Sequence, residues 1–199
     1  MASPRVFLVG IGGPTCSGKT TLTKHLVNLL TRHASSSKVQ VPVSTFIIHQ
    51  DDFAPPESSL VWNEKVGSAD WDDPSTSVEW TRLRNTVEYV KRTGRLPEDH
   101  SSHDELNPLP DLSITQGVQR ELDELFERKF ASSPEAALPT HIVFLDGFLL
   151  YYDEQLRNQI DLPIFLRIGR DLLKERRESR GGYVTAEGEC WKVGVVVRV

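Results

Sequence analysis

The sequence predicts an α/β fold, an open parallel sheet wound on both faces by helices. Three observations carry this. Short apolar, β-branched runs alternate along the chain with segments of helical periodicity, the pattern of βαβ units with right-handed crossovers. One run, His141-Ile142-Val143-Phe144-Leu145-Asp146-Gly147, is apolar at consecutive positions, as a strand covered on both sides must be. A glycine-rich turn, Gly13 to Gly18, stands between an apolar run and a helix-patterned stretch. That order, strand, glycine turn and helix, is a recognised phosphate-binding unit.

Each element has a local reason. Val6-Phe7-Leu8-Val9 reads as a short buried strand, and Leu22, Leu26, Leu29 and Leu30 recur at helical spacing from Gly18 to about His33. Ala34-Ser35-Ser36-Ser37 breaks that helix. Ser44 to His49 reads as a second strand ending in Gln50-Asp51-Asp52-Phe53, and Pro55-Pro56 stops regular structure. Asp73-Pro74 predicts a helix start, with Trp80, Leu83, Val87 and Val90 on one face and an end near Gly94. Residues 95–111 are rich in proline, histidine and acid and read as a loop. Ser113-Ile114-Thr115-Gln116 fits a capping box, followed by Val118, Leu122, Leu125 and Phe126 at helical spacing. An exposed connection over 131–140 leads to the strand at His141–Gly147. A fourth strand is expected over Leu162–Ile168, and a charged helix from Arg170. There is no internal repeat, and a single domain over 1–192 is expected.

Composition excludes several classes. The 199 residues suffice for one substantial core, and 38% hydrophobic with 26% charged residues is ordinary for a globular protein. A net charge of −5 argues against nucleic acid as a partner. With no apolar run of membrane length and no leader-like start, neither a membrane nor a secretory route is expected, and the cytoplasm is the expected compartment. Cys16 lies inside the glycine turn and Cys190 far from it, so a structural disulfide is not expected. A monomer is the expected state.

Gly13-Pro14-Thr15-Cys16-Ser17-Gly18-Lys19-Thr20 fits G-x-x-x-x-G-K-[ST] without mismatch. A loop that wraps a phosphate closely needs backbone angles that glycine supplies at Gly13 and Gly18. Its N–H groups and the following helix N-terminus then face an anion. Lys19 is expected at the β/γ-phosphates and the Thr20 hydroxyl on Mg²⁺. Ligands of such sheets bind beyond the carboxyl ends of the strands. Two acidic sites fall there: Asp51 and Asp52 after the second strand, and Asp146 at the end of the central one. An Asp pair at a strand end is, on its own, usually a turn or a cap. Behind a phosphate loop, Asp51 becomes the candidate base for an attacking hydroxyl, and Asp146 the acid acting on magnesium through water.

The segments GGPTCSGKTTL, HQDDF and FLDGFLL, followed by a helix carrying RRESR, resemble the uridine kinase-like small-molecule kinases, and among them the nicotinamide riboside kinases. The resemblance covers about residues 5–190 in order. It implies ATP and Mg²⁺ as cofactors and a small-molecule riboside, nicotinamide riboside first, as acceptor of phosphate at its 5′-hydroxyl. Uridine or another nucleoside is the alternative acceptor, and a nucleotide-binding remnant without turnover is the alternative outside catalysis. By the same resemblance Gly13 to Thr21, with Pro14, Thr15, Cys16 and Ser17 between the glycines, hold ATP. Arg176 and Arg180 of a lid over about 170–190 assist them. Asp51, Asp52, Phe53, Trp71, Asp72 and Arg177 face the riboside. Asp51 takes the hydroxyl proton and joins Thr20 and Asp146 on the metal side, while Lys19 and Arg177 stabilise the transferring phosphoryl group. Trp71 is expected to stack on a cationic ring, against the plain alternative of a core aromatic. Arginines at such spacing are otherwise most often a solvated helix face. The last residues, Val193-Gly194-Val195-Val196-Val197-Arg198-Val199, depart from the family pattern. They predict an atypical tail in place of a final strand and helix, with part of the adenine pocket lost.

Overall fold

The structure, a computed structural model, describes residues 4–34, 44–65, 67–71, 73–102, 104, 114–131, 141–179, 183–184 and 190–191. Four parallel strands form its main sheet: β1 (Val6–Gly12), β2 (Ser44–His49), β5 (His141–Gly147) and β6 (Leu162–Phe165), in the order β2-β5-β1-β6. Two short antiparallel pairs stand apart, β3 (Trp62–Asn63) with β4 (Ser68–Ala69), and β7 (Tyr183–Val184) with β8 (Cys190–Trp191). The helices are α1 (Lys19–Ala34), α2 (Trp80–Thr93), α3 (Gln116–Ala131), α4 (Glu154–Arg157) and α5 (Arg170–Ser179).

Side chains alternate across the sheet as the pleat requires. Leu8, Ile48, Val143 and Leu145 face a core completed by Leu83, Val87 and Val90 of α2 and Leu156 of α4. Val9, Ile11 and Phe144 face the opposite side, where Leu30, Leu22 and Leu26 of α1 and Phe126 of α3 cover them. Both faces are therefore apolar, and the expected doubly wound α/β architecture is what forms. β2 and β5 have the predicted limits.

The first strand runs on past Val9 to Gly12. Gly10 and Gly12, beyond the run read as strand, are strand residues that must lack side chains. A Cβ on Gly12 would lie 2.6 Å from the Tyr151 ring, and one on Gly10 would lie 2.9 Å from Ile160. The Tyr151 hydroxyl lies 2.9 Å from the Gly10 carbonyl and 2.8 Å from that of Ile164, tying the carboxyl ends of β1 and β6 together.

The predicted helix start at Asp73-Pro74 is corrected. Asp73 closes a local turn instead: its carboxylate accepts from the Ser75 N–H at 2.9 Å and from the hydroxyls of Ser75 and Thr76. Ser and Thr that bond backbone and neighbouring acids this way compete with helix, so α2 begins only at Trp80. It ends as predicted, with Gly94 left-handed (φ 71°) and its N–H on the Val90 carbonyl. The fourth strand stops at Phe165, three residues short of the expected limit. The capping residue expected at Ser113 and the tail 193–199 lie outside the described residues, so the predicted single-domain limit at 192 belongs to sequence alone.

Candidate active site

The site is built where the carboxyl ends of β1, β2 and β5 meet the start of α1. β1 delivers the chain into a loop whose backbone is left-handed at Gly13 (φ 148°), Cys16 (φ 63°) and Gly18 (φ 93°). Gly13 is doubly constrained, since a Cβ there would lie 2.6 Å from the Leu166 carbonyl. Cys16 adopts an angle uncommon for a residue with a side chain. The Lys19 ammonium reaches back over the loop to the Pro14 carbonyl at 3.1 Å. The Ser17 hydroxyl is buried inside the loop with no hydrogen-bond partner. Left-handed turns, a lysine folded over them and a helix start at Lys19 form a concave anion cradle.

Thr20, one residue into α1, donates its hydroxyl to Asp146 Oδ2 at 2.5 Å. Asp146 is 4% exposed, and its other oxygen, Oδ1, is buried without a hydrogen bond. A buried carboxylate oxygen with nothing to bind is costly, and it fits the place of water or a divalent cation beside a threonine hydroxyl. The donor set is hard oxygen, as magnesium prefers. Among the described residues there is no cluster of three His, Cys, Asp or Glu able to hold an ion by protein ligands alone.

His49 and Asp146 are register partners on β2 and β5. His49 Nδ1 is 3.4 Å from Asp146 Oδ2, and His49 Nε2 is 3.7 Å from Asp104 Oδ1. Burial alone disfavours the imidazolium, but Asp146, Asp104 and Asp52 outweigh it and raise the His49 pKa above its ordinary value.

Past His49 the chain tightens into a 3₁₀ turn, Gln50–Phe53. Asp51 is exposed at the mouth of the site, while Asp52 and Phe53 turn inward. Of the three residues expected to face a ligand, Asp51 is the exposed one. Phe53 is fully buried in the core beneath the Arg82 guanidinium, 4.5 Å from its ring centroid. Arg82 also donates to the Asp52 carbonyl at 2.7 Å, and the Asp52 carboxylate lies 3.7 Å from His100 Nε2. The 3₁₀ turn explains this: Gln50 and Phe53, three residues apart, share its inner side, Asp51 faces out, and Asp52 and Phe53 seal the turn against α2.

Trp71 is half-buried in the turn after β4, and Asp72 lies outside the described residues. From α5, Arg176 donates to the Cys16 carbonyl at 3.4 Å, which sets α5 against the phosphate loop. Arg177 is half-buried, with an Nε–H that bonds nothing. Arg180 lies outside the described residues. An open groove of about 740 Å³ between α2 and residues 97–99 includes Glu79, Arg82, Tyr89 and Asp99 in its lining. It contains no residue of the phosphate loop, so the chemistry does not converge there.

Sequence reasoning missed His49, Asp104, Lys24 and His100. A histidine closing an apolar strand next to two acids was the available signal for His49.

A family model, "Phosphoribulokinase / Uridine kinase family", matches residues 8–182. The chain belongs to that family. Among its kinases, the nicotinamide riboside kinase of Schizosaccharomyces pombe is 32% identical over 184 residues, 92% of this chain and 70% of that protein. The nicotinamide riboside kinase of Saccharomyces cerevisiae is 26% identical over 188 residues, 94% of this chain and 70% of that protein. A solved structure described as a possible uridine kinase from Bacillus stearothermophilus superposes with a TM-score of 0.51 at 17% identity, covering 87% of this chain and 76% of that one. That likeness supports the kinase fold. Among the described residues no helix is long and apolar enough to cross a membrane.

Proposed function

We propose that this chain transfers the γ-phosphoryl group of ATP to the 5′-hydroxyl of nicotinamide riboside, giving nicotinamide mononucleotide. The observation that carries the kinase chemistry is the Thr20–Asp146 pair, with its bare buried oxygen, directly behind the phosphate loop and beside the strand that presents Asp51. The relatives named above supply the acceptor.

In this reading the loop amides of Gly13 to Thr21 hold the β- and γ-phosphates, and Lys19 exchanges the Pro14 carbonyl for phosphate oxygen. Thr20 would hold magnesium directly, with Asp146 acting through water and Asp51 on the same side. Bound magnesium supplies charge neutralisation between the β- and γ-oxygens. Asp51, the exposed carboxylate, orients the 5′-hydroxyl and accepts its proton as the oxygen bonds the γ-phosphorus and the β–γ bridging oxygen leaves with ADP. Arg176, already at the loop, and Arg177, with an N–H to offer, spread charge over the transferring group. Arg180 joins them on the family pattern alone. Trp71 lies over the pyridinium ring, whose positive charge suits an indole face, and Asp72 holds a ribose hydroxyl. The free Cys16 thiol in the loop fits a reducing cytoplasm.

The test is a phosphoryl-transfer assay with ATP, Mg²⁺ and a panel of ribosides, on this chain and on Asp51→Ala. Turnover of nicotinamide riboside is expected, with kcat about 10²–10⁴ lower in the variant, the usual worth of a positioned base. Turnover of uridine alone, or an unimpaired variant, overturns the assignment.

A further inference from the structure

Residues 95–111 read in sequence as a loop with no assigned role, yet Asp104 of that stretch reaches the phosphate side of the site. Asp104 Oδ2 lies 2.7 Å from Lys24 Nζ, and Asp104 Oδ1 lies 3.7 Å from His49 Nε2. The opposite ring nitrogen, Nδ1, is 3.4 Å from Asp146 Oδ2, the oxygen that also accepts the Thr20 hydroxyl. Thr20 and Lys24 are four residues apart on α1 and so share a face of it. The polar chain Thr20–Asp146–His49–Asp104–Lys24 therefore begins and ends on one helix face, a closed circuit that crosses β5, β2 and the loop. It is also sheltered, with the His49 side chain 11% and that of Asp146 4% exposed.

The physical need is orientation. Asp146 Oδ2 is held by Thr20 on one side, and a carboxylate held by a single contact can turn about its own axis. A second contact from the imidazole fixes the carboxylate plane, which leaves Oδ1 aimed and unbonded. Asp104, itself held by Lys24, stands 3.7 Å from the far nitrogen, at ion-pair rather than hydrogen-bond distance, so the imidazole has a carboxylate on each side that limits its drift. Partners behind metal-side ligands typically contribute ten- to a hundredfold in affinity or activity.

We propose that His49 is a positioning residue that fixes Asp146 for magnesium, and that Asp104, from the loop after α2, braces it. The inference rests on the kinase reading for its magnesium site. The imidazole acts through Asp146 rather than on substrate.

The test uses the full chain and the variants His49→Leu, His49→Asn and Asp104→Asn. Binding of Mn²⁺ to the ADP complex is read by electron paramagnetic resonance, beside kcat, the KM for riboside and the melting temperature. Asn carries an amide nitrogen near the Nδ1 position, so it can restore the contact to Asp146, whereas Leu cannot. His49→Leu is expected to weaken Mn²⁺ binding about tenfold and to lower kcat about tenfold, with KM for the riboside within about twofold. His49→Asn should recover most of both, and Asp104→Asn should lose about threefold. Mn²⁺ affinity in His49→Leu within twofold of the parent overturns the proposal, as does an Asn variant as impaired as Leu at equal melting temperature. Should no riboside be phosphorylated by the parent, the kinase reading falls, while a Leu–Asn split in Mn²⁺ affinity would still support the positioning role.

Discussion

Asp146→Asn should separate stability from function, because the same carboxylate is poorly satisfied in the fold and needed by the chemistry. Asp146 is 4% exposed, with one oxygen bonded by Thr20 at 2.5 Å and the other buried and bare. A buried acceptor without a partner costs about 1–3 kcal/mol, and asparagine removes the charge that makes this one worst. Against that, a hydrogen bond to a charged group contributes about 1 kcal/mol more than a neutral one, and the new amide N–H₂ is itself left short of a partner at about 1 kcal/mol. The His49 imidazole, 3.4 Å from Oδ2, also loses an anionic neighbour, which tips the near-cancelling terms to a net loss of about 1 kcal/mol, so the unliganded variant should melt about 2–4 °C below the parent, the shift expected in a domain this size.

Magnesium and nucleotide should report the loss. A ligand present at a hundred times its Kd stabilises the folded state by about 2.7 kcal/mol, and the same ligand bound ten- to a hundredfold more weakly contributes only about 1.4 to 0.4 kcal/mol. The melting shift on adding Mg²⁺ and ATP should therefore shrink by half or more, with kcat down about tenfold to a hundredfold. Differential scanning fluorimetry with and without Mg·ATP, beside a coupled kinase assay, reads both. A variant that melts more than about 10 °C below the parent would mean that Asp146 is structural. A variant with an unchanged Mg·ATP shift and kcat within threefold would remove it from the magnesium side.

Gly12→Ala should cost about 1–3 kcal/mol in urea unfolding, the usual cost of overpacking. The new Cβ would meet a Tyr151 ring pinned by its hydroxyl to the Gly10 and Ile164 carbonyls. Adding Tyr151→Ala should give a double variant less destabilised than the sum of the two. Strict additivity would refute the clash. Stability should also fall as pH drops below about 6.5. Burial lowers the pKa of His100, with Arg82 adding to it against the pull of Asp52, and burial with Arg95 lowers that of His141. The unfolded chain therefore takes up these protons first, and stability present above 6.5 is lost on the way down to the folded values. The raised pKa of His49 places its own window above 6.5, where stability is lost as pH rises. A His100→Gln/His141→Gln chain should show a flatter melting profile between pH 6.5 and 5, and an unchanged slope would count against the assignment.

Residues whose reasons are local were legible in the sequence. The limits of β2 and β5 follow from unbroken apolar, β-branched runs, and the end of α2 from a glycine that can turn left-handed. The loop motif carried its own geometry. What escaped had its cause elsewhere in the chain. Gly10 and Gly12 are bare because Ile160 and Tyr151, some 140 residues on, occupy the space. α2 starts at Trp80 because the side chains of Ser75 and Thr76 and the Ser75 N–H bond Asp73, a competition that periodicity does not see. The packing of Phe53 in the core was not visible in QDDF, since it depends on α2 standing where the turn closes. His49 and Asp104 are 55 positions apart, and only the docked loop makes them neighbours.

The coupling between the two acidic strand ends has the same non-local character. Gln50 is 1% exposed, and its side chain lies across Gly147, where a Cβ would come within 2.5 Å of Gln50 Cβ and Oε1. The Gln50 Oε1 also accepts the Leu149 N–H at 2.9 Å. The turn that presents Asp51 and the turn that follows Asp146 are thus locked by a residue that carries no charge and does no chemistry. Catalytic groups need placement to within fractions of an ångström, and the Asp51 carboxylate, on a turn, would wander relative to Asp146 near the end of β5 if only the strands held them. The glutamine removes that freedom, and it can do so only if position 147 is glycine. QDDF and DGF therefore belong together for a packing reason. Each motif is weak evidence alone, but the pair sets the separation between the Asp51 and Asp146 carboxylates.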